Sequence, residues 1–271
     1  MTEQRKKIET SVDFIKNEIP KNFKPSIAVI TDIGIPLPAG FKVTGKVPVS
    51  DTDRSGDFIF GKFSGKDVII IKGRLHFYDG FSMRDIAHYI YVLKYIGVKK
   101  IISIDEVAHL NPRFNCGELA LVYDHINLTG DNPLIGENDE KLGIRFPDMS
   151  NAYDNDLFDK AYKIFQDKKV KTNDSVYIGS IGPETETEAE ARFYRDIGGD
   201  VAGYSFIPEN IASVHSETKF LGIGLITREI VADKMAESVI PEEEMEKSKT
   251  INLKKAIMEL NKIYGELLKK L

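Results

Sequence analysis

Cysteine is almost missing from this chain: Cys116 stands alone among 271 residues. An internal disulfide is therefore excluded, no Cys/His set has the spacing of a zinc site, and a reducing cytoplasm is the expected setting. No stretch approaches the roughly 18 uninterrupted apolar residues of a membrane span. The opening MTEQRKKIETSVDFIKNEIP lacks the apolar centre of a secretory leader and instead alternates charged and apolar residues at helical spacing. Neither sign of charge dominates. With 37 basic and 42 acidic residues the formal net charge is −5, which argues against a dedicated nucleic-acid or acidic-membrane surface and leaves a small molecule as the expected partner. Repeats, low-complexity tracts and Ser/Gly/Pro linkers are lacking too, so a single domain over residues 1–271 is expected.

Short Val- and Ile-rich runs recur at Ile27 to Thr31, Val68 to Lys72, Ile101 to Ile104, Leu119 to Tyr123, Val176 to Ile181 and Phe220 to Thr227. Runs of that length read as strands buried on both faces, and the segments between several of them carry helical periodicity, which is an α/β pattern. Helices are expected near Thr10 to Glu18, Met83 to Tyr95, Asp156 to Gln166, Thr187 to Ile197, Pro208 to Ser216 and Asn252 to Leu271. In the last, Leu253, Ile257, Leu260, Tyr264, Leu267 and Leu271 share one stripe, as a helix closing on the core requires. Thr129 to Met149, rich in Gly, Asn, Asp and Pro, reads as a long loop, and the acidic run Pro241 to Glu246 as a solvated helix start.

Three segments carry chemistry. Gly73-Arg74-Leu75-His76-Phe77-Tyr78-Asp79-Gly80 follows a strand and, if extended, turns Arg74, His76 and Tyr78 to one side. A guanidinium, an imidazole and a phenol together suit an oxyanion and a hydroxylated ring, although a polar strand end paired with acidic neighbours has the same look. Gly182-Pro183-Glu184-Thr185-Glu186-Thr187-Glu188 leaves a strand and opens a helix with carboxylates near its positive end. Capping and solvation account for most of them, and one turned inward would accept a ring N–H. His125-Ile126-Asn127-Leu128 precedes the long loop, which ends in Arg145-Phe146-Pro147-Asp148-Met149. Burial statistics alone place Phe146 in the core.

In order and spacing, GRLHFYDG, LNPRF, DHINLTGDNPL, RFPDMSNAYD, GPETET, GYSFIPE and GLIT resemble the trimeric purine nucleoside and methylthioadenosine phosphorylases, from about Ile27 to Asp233. The resemblance implies one α/β domain with a central mixed sheet flanked by helices, assembled as a ring of three. It also implies that phosphate attacks the anomeric carbon of a nucleoside while the base departs, with phosphate as co-substrate and no other cofactor or metal. On that basis Arg74, His76 and Ser205 fall at phosphate positions, Tyr78 at a sugar contact and Glu186 at the base-binding glutamate. Phe146 becomes a ring lent to a neighbouring copy.

Other positions depart from the family pattern. The loop after the first strand reads Thr31-Asp32-Ile33-Gly34, with Ile33 where the family has a phosphate-binding serine and Asp32 in place of a glycine. A carboxylate a few ångströms from a phosphate dianion repels it by kilocalories at intermediate dielectric. Arg54 stands where the family has a histidine and would supply a compensating cation. Asp105-Glu106-Val107 replaces small residues of a third ligand-contacting loop, putting Glu106 at the phosphate end. Arg228 replaces the base-binding asparagine, and because Arg only donates, base choice should change. Tyr204 takes a methionine-like place under the sugar, and Glu242 aligns loosely with a histidine near its 5′ end. Arg228, Glu186 and His76 are the expected catalytic residues. Phosphate-dependent cleavage of a purine nucleoside to base and ribose 1-phosphate is the leading expectation. The alternatives are a non-catalytic trimer-forming paralogue, acting as a binding subunit, and a hydrolase using an acidic residue as general base toward water. A homotrimer is expected, and a mixed trimer with a paralogue is compatible with the same sequence.

Overall fold

A computed structural model describes residues 1–49, 56–232 and 241–271 of the chain. Among the described residues nine strands form one mixed sheet, in the order β2 (Lys42–Pro48), β3 (Asp57–Phe63), β4 (Lys66–Lys72), β1 (Ile27–Thr31), β5 (Lys100–His109), β8 (Val201–Gly203), β7 (Asn173–Gly179), β6 (Leu119–Asn127) and β9 (Lys219–Glu229), and β9 also pairs with β5. The strands β5, β8, β7, β6 and β9 thereby close a circuit. The elements nearest the site are β1 (Ile27–Thr31), β4 (Lys66–Lys72), β5 (Lys100–His109), β7 (Asn173–Gly179), β8 (Val201–Gly203) and β9 (Lys219–Glu229). The pairs β1–β4, β1–β5 and β5–β9 are parallel. Their carboxyl ends therefore lie together, which is where open α/β sheets gather ligand-binding residues.

Alternation along the strands sends side chains to two apolar layers. On one face Ala28, Ile30, Ile69 and Ile71 pack with Ile8 and Val12 of α1 (Glu3–Glu18), Ile86 and Ile90 of α2 (Met83–Tyr95), and Phe206 and Ile211 of α5 (Phe206–His215). On the other, Val29, Ile70, Ile102 and Leu221 meet Leu157 and Phe165 of α3 (Asn155–Asp167) and Leu260, Tyr264 and Leu267 of α6 (Glu242–Lys270). Each such side chain contributes roughly 1.5–3 kcal/mol on full burial. The α6 stripe expected from the sequence is thus the one that closes the core.

Every expected strand and helix forms, with longer bounds in several cases. The first helix starts at Glu3 rather than Thr10 because Thr2 caps it, its side chain accepting from Arg5 N. The strands not expected are β2 (Lys42–Pro48), β3 (Asp57–Phe63) and the three-residue β8. β2 is largely exposed and has no apolar alternation to betray it, and β8 is too short for any period. Asp105 to His109, expected as a loop, continues β5.

Candidate active site

A cavity of about 540 Å³ opens at the carboxyl ends of β1, β4, β5 and β9. Gly73 steers the chain into it. Its φ of +95° is open to glycine, and an added Cβ would sit 2.8 Å from both Gly56 Cα and Ile33 Cγ1. The backbone then turns through a 3₁₀ segment, Phe77–Asp79. Arg74, His76 and Tyr78 therefore do not alternate along a strand, as the sequence suggested, yet all three line the cavity. The rings of His76 and Tyr78 stack with centroids 4.6 Å apart.

At the Arg74 end the charges neutralise one another. Arg74 is buried, and its Nη1 donates to Ser103 Oγ at 3.2 Å and Glu209 Oε1 at 3.3 Å. Its Nη2 donates to the carbonyls of Ile30 and Ile104. Nε lies 3.3 Å from Asp32 Oδ1 but makes no hydrogen bond, so this buried edge of the guanidinium is left unsatisfied. Burial by itself would depress the guanidinium's pKa, but Glu209 and Asp32 outweigh it and raise it, keeping Arg74 charged. Glu209 is in turn held by Tyr89 and Ser103 hydroxyls, both at 2.5 Å.

Asp32 also stands 3.6 Å from His76 Nε2, and Asp79 stands 3.7 Å from Nδ1. Burial lowers the His76 pKa despite these carboxylates, so the ring is neutral at pH 7. Asp105 accepts from Ser205 Oγ at 3.0 Å and Tyr177 Oη at 3.1 Å. Burial, opposed by Arg74 and reinforced by Asp32, pushes its pKa up to about 7. Glu106 is raised as well, by burial against the pull of Lys249. That lysine comes from α6, and its Nζ is 3.6 Å from Glu106 Oε2, too far for a hydrogen bond.

At the other end Arg228 Nη1 donates to Glu186 Oε2 at 3.4 Å and Nη2 to Tyr204 Oη at 3.4 Å. A register shift between Val107 and Ala108 leaves Thr227 as an extra residue on β9, and this bulge sets Thr227 and Arg228 on the cavity wall. Glu186 lies behind Arg228, buried, with Oε1 lacking any hydrogen-bond partner. The Tyr204 phenol donates to Glu184 O at 3.1 Å, and its ring packs over Gly182, where a Cβ would come within 3.2 Å. Tyr78 meets Tyr204 edge-on at 5.9 Å, so the two phenols span the middle of the cavity. Buried polar atoms are normally paired, and Arg74 Nε and Glu106 Oε2 on the cavity wall, with Glu186 Oε1 behind Arg228, are among those that are not.

Among the expected site residues, Arg74, His76, Tyr78, Tyr204, Ser205, Glu106 and Arg228 line this one cavity, with Glu186 bonded to Arg228. Arg54 lies outside the described residues, as does the side chain of Glu242, the first residue of α6. Phe146 is not a core residue, as burial statistics suggested: it is 84% exposed and lines a separate surface cavity with His125, Arg145 and Met149. Val107 packs into the apolar core rather than toward the ligand. Lys249, Tyr177 and Glu209 were not anticipated. Glu209 left a trace, a lone carboxylate in an otherwise uncharged helical segment, but nothing in the Lys-Ser-Lys-Thr stretch singles out Lys249. Among the described residues no group of three His, Cys, Asp or Glu is placed to hold a metal ion, and no helix is long and apolar enough to cross a membrane.

Comparison with known proteins gives a consistent picture. A family profile described as "Phosphorylase superfamily" matches residues 26–263. Purine nucleoside phosphorylase 1 of Bacillus subtilis (strain 168) is 37% identical over 229 residues, 82% of this chain and 84% of that one. The purine nucleoside phosphorylase of Rattus norvegicus is 34% identical over 78% of each chain. Among solved structures, Schistosoma mansoni purine nucleoside phosphorylase in complex with adenosine superposes with a TM-score of 0.88 at 30% identity, over 98% of this chain and 97% of that one. The chain therefore belongs to the phosphorylase superfamily, as a divergent member of its purine nucleoside phosphorylase family.

Proposed function

We propose that this protein is a pentosyltransferase that cleaves the N-glycosidic bond of a purine nucleoside with phosphate, giving free base and ribose 1-phosphate. The observation that carries the reading is a single cavity with a buried guanidinium at one end, a second guanidinium backed by a buried carboxylate at the other, and two phenols on its wall. In this reading phosphate takes the Arg74 Nε edge with His76 and Ser205. A phosphate oxygen bonds to the anomeric carbon as the bond to the base nitrogen breaks, and the electron pair leaves with the base. Arg228 stabilises negative charge arriving on the base, Glu186 Oε1 accepts a ring N–H, and Tyr78 and Tyr204 hold the sugar. No cofactor beyond the phosphate co-substrate is needed.

Phe146, exposed together with Ile135 of the same surface cavity, supports assembly in which each copy lends this ring to the next, as a homotrimer or in a mixed ring. A small nucleoside, rather than nucleic acid or membrane, is the partner, and the single cysteine fits a cytoplasmic setting. The test is a panel of nucleosides and methylthionucleosides, each with and without inorganic phosphate, with base release and ribose 1-phosphate both measured. Base release that requires phosphate and matches ribose 1-phosphate in amount is expected. Release at the same rate without phosphate, or none across the panel, contradicts the reading.

A further inference from the structure

We propose that Lys249 is a phosphate-binding residue of the cavity, a cation delivered by α6 to replace the hydroxyl absent at Ile33; this rests on the phosphorolytic reading above. Lys249 lines the same cavity as Asp32, Ile33 and Arg74. One face of α6 fixes it there. Three residues on, Asn252 Nδ2 donates to Thr227 O at 3.1 Å. Four residues on, Leu253 sits against the turn after β1, its Cδ2 3.8 Å from the point a Cβ on Gly34 would occupy. Positions i, i+3 and i+4 share a helix face, so the anchors that dock the helix also hold the ammonium at the cavity wall, 3.6 Å from Glu106 Oε2.

The chemistry of the neighbours explains the need for it. Arg74 spends Nη1 and Nη2 on Ser103, Glu209 and two carbonyls, leaving only Nε without a hydrogen bond, and Asp32 stands 3.3 Å from it. The Ser205 hydroxyl is already donated to Asp105. Lys249 contrasts with both. Its side chain is 39% exposed, and its Nζ approaches Glu106 Oε2 only to 3.6 Å. An ammonium on a flexible stem can leave so loose a contact for a bound oxyanion, where its three donors form charge-assisted bonds. Glu106 then acts as the resting counter-ion that phosphate displaces.

The test is a titration of inorganic phosphate at saturating nucleoside, on the full chain. Lys249→Ala should raise the phosphate KM roughly tenfold, the scale of one charge-assisted hydrogen bond, while kcat and the nucleoside KM change less than about twofold. Lys249→Arg should restore most of the loss. Glu106→Gln should move the phosphate KM the opposite way, downward, which damage to the fold would not do. Lys249→Gln keeps the stem and serves if the alanine variant folds poorly. An unchanged phosphate KM in the lysine variants, with wild-type phosphorolysis intact, overturns the assignment of Lys249 alone. If the wild type shows no phosphate-dependent cleavage, the functional reading fails, and thermal stabilisation by inorganic phosphate decides Lys249 separately. Stabilisation lost in Lys249→Ala supports the site, and no stabilisation of the wild type overturns it.

Discussion

At the Arg74 end of the cavity, groups suited to an anion already face the protein's own carboxylates: Arg74 meets Asp32 and Glu209, and Ser205 and Tyr177 donate to Asp105. At the Arg228 end the guanidinium is held by longer contacts of 3.4 Å, and one buried oxygen of Glu186 has no hydrogen-bond partner. Each end has unpaired polar atoms, Arg74 Nε and Glu106 Oε2 at the first and Glu186 Oε1 at the second, yet only at the first do carboxylates stand against the groups an anion would need. A phosphate must therefore compete with internal anions, whereas a base meets a guanidinium held only by longer contacts. Binding at the first end should be sensitive to charge and pH, and at the second to hydrogen-bond pattern.

The largest expected effect tests whether Arg74 belongs to the frame as well as to the ligand. Arg74→Met leaves the Glu209 carboxylate buried without its cation and should destabilise the protein by about 3–5 kcal/mol, read as a lower urea midpoint. A loss below about 1 kcal/mol would mean that Tyr89 and Ser103 suffice for Glu209. Next, Glu186→Gln should lower kcat/KM roughly a hundredfold, about 2.7 kcal/mol, if its free oxygen receives the base. Unaltered kcat/KM would remove Glu186 from the site.

A smaller effect concerns pH. Burial raises Asp105 to about 7, so below that pH it is a neutral acid able to donate to an oxyanion, and above it a repelling carboxylate. Phosphate KM should rise as pH passes upward through 7, by up to about tenfold per unit. Asp105→Asn should flatten that component when compared with wild type under the same conditions, because phosphate ionises nearby as well. The linkage has the same sign for stability: Asp105's contribution is full below its unfolded pKa near 3.8 and lost as pH rises through about 7.

Much of this was legible in the sequence because it was periodic or strung together. The buried strands from Ile27 and Val68 and the stripe of α6 follow apolar spacing, and GRLHFYDG with GPETET brings Arg74, His76, Tyr78 and Glu186 to one place through family resemblance. Pairing was not legible. No spacing says that Arg74 meets Glu209 135 residues away, or that Asp32 turns toward Arg74. These contacts are products of strand order, and strand order lies outside any local pattern. Lys249 was hidden for the same reason, since a lysine on an exposed half-turn of helix reads as solvent-facing until the helix is docked. Phe146 shows the converse: composition placed it inside, and only its position in RFPDMS argued otherwise.

The contrast between the two ends rests on Asp32, and one experiment meets it directly. Coulomb repulsion between unit charges about 4 Å apart is roughly 4 kcal/mol at an effective dielectric of 20, and partial exposure of Asp32, at 20%, reduces this. Phosphate saturation curves for wild type and Asp32→Gly, at fixed saturating nucleoside, should show the phosphate KM falling about tenfold in the variant with the nucleoside KM unmoved. A phosphate KM that is unchanged or higher without Asp32 would contradict an acceptor end held by the protein's own carboxylates.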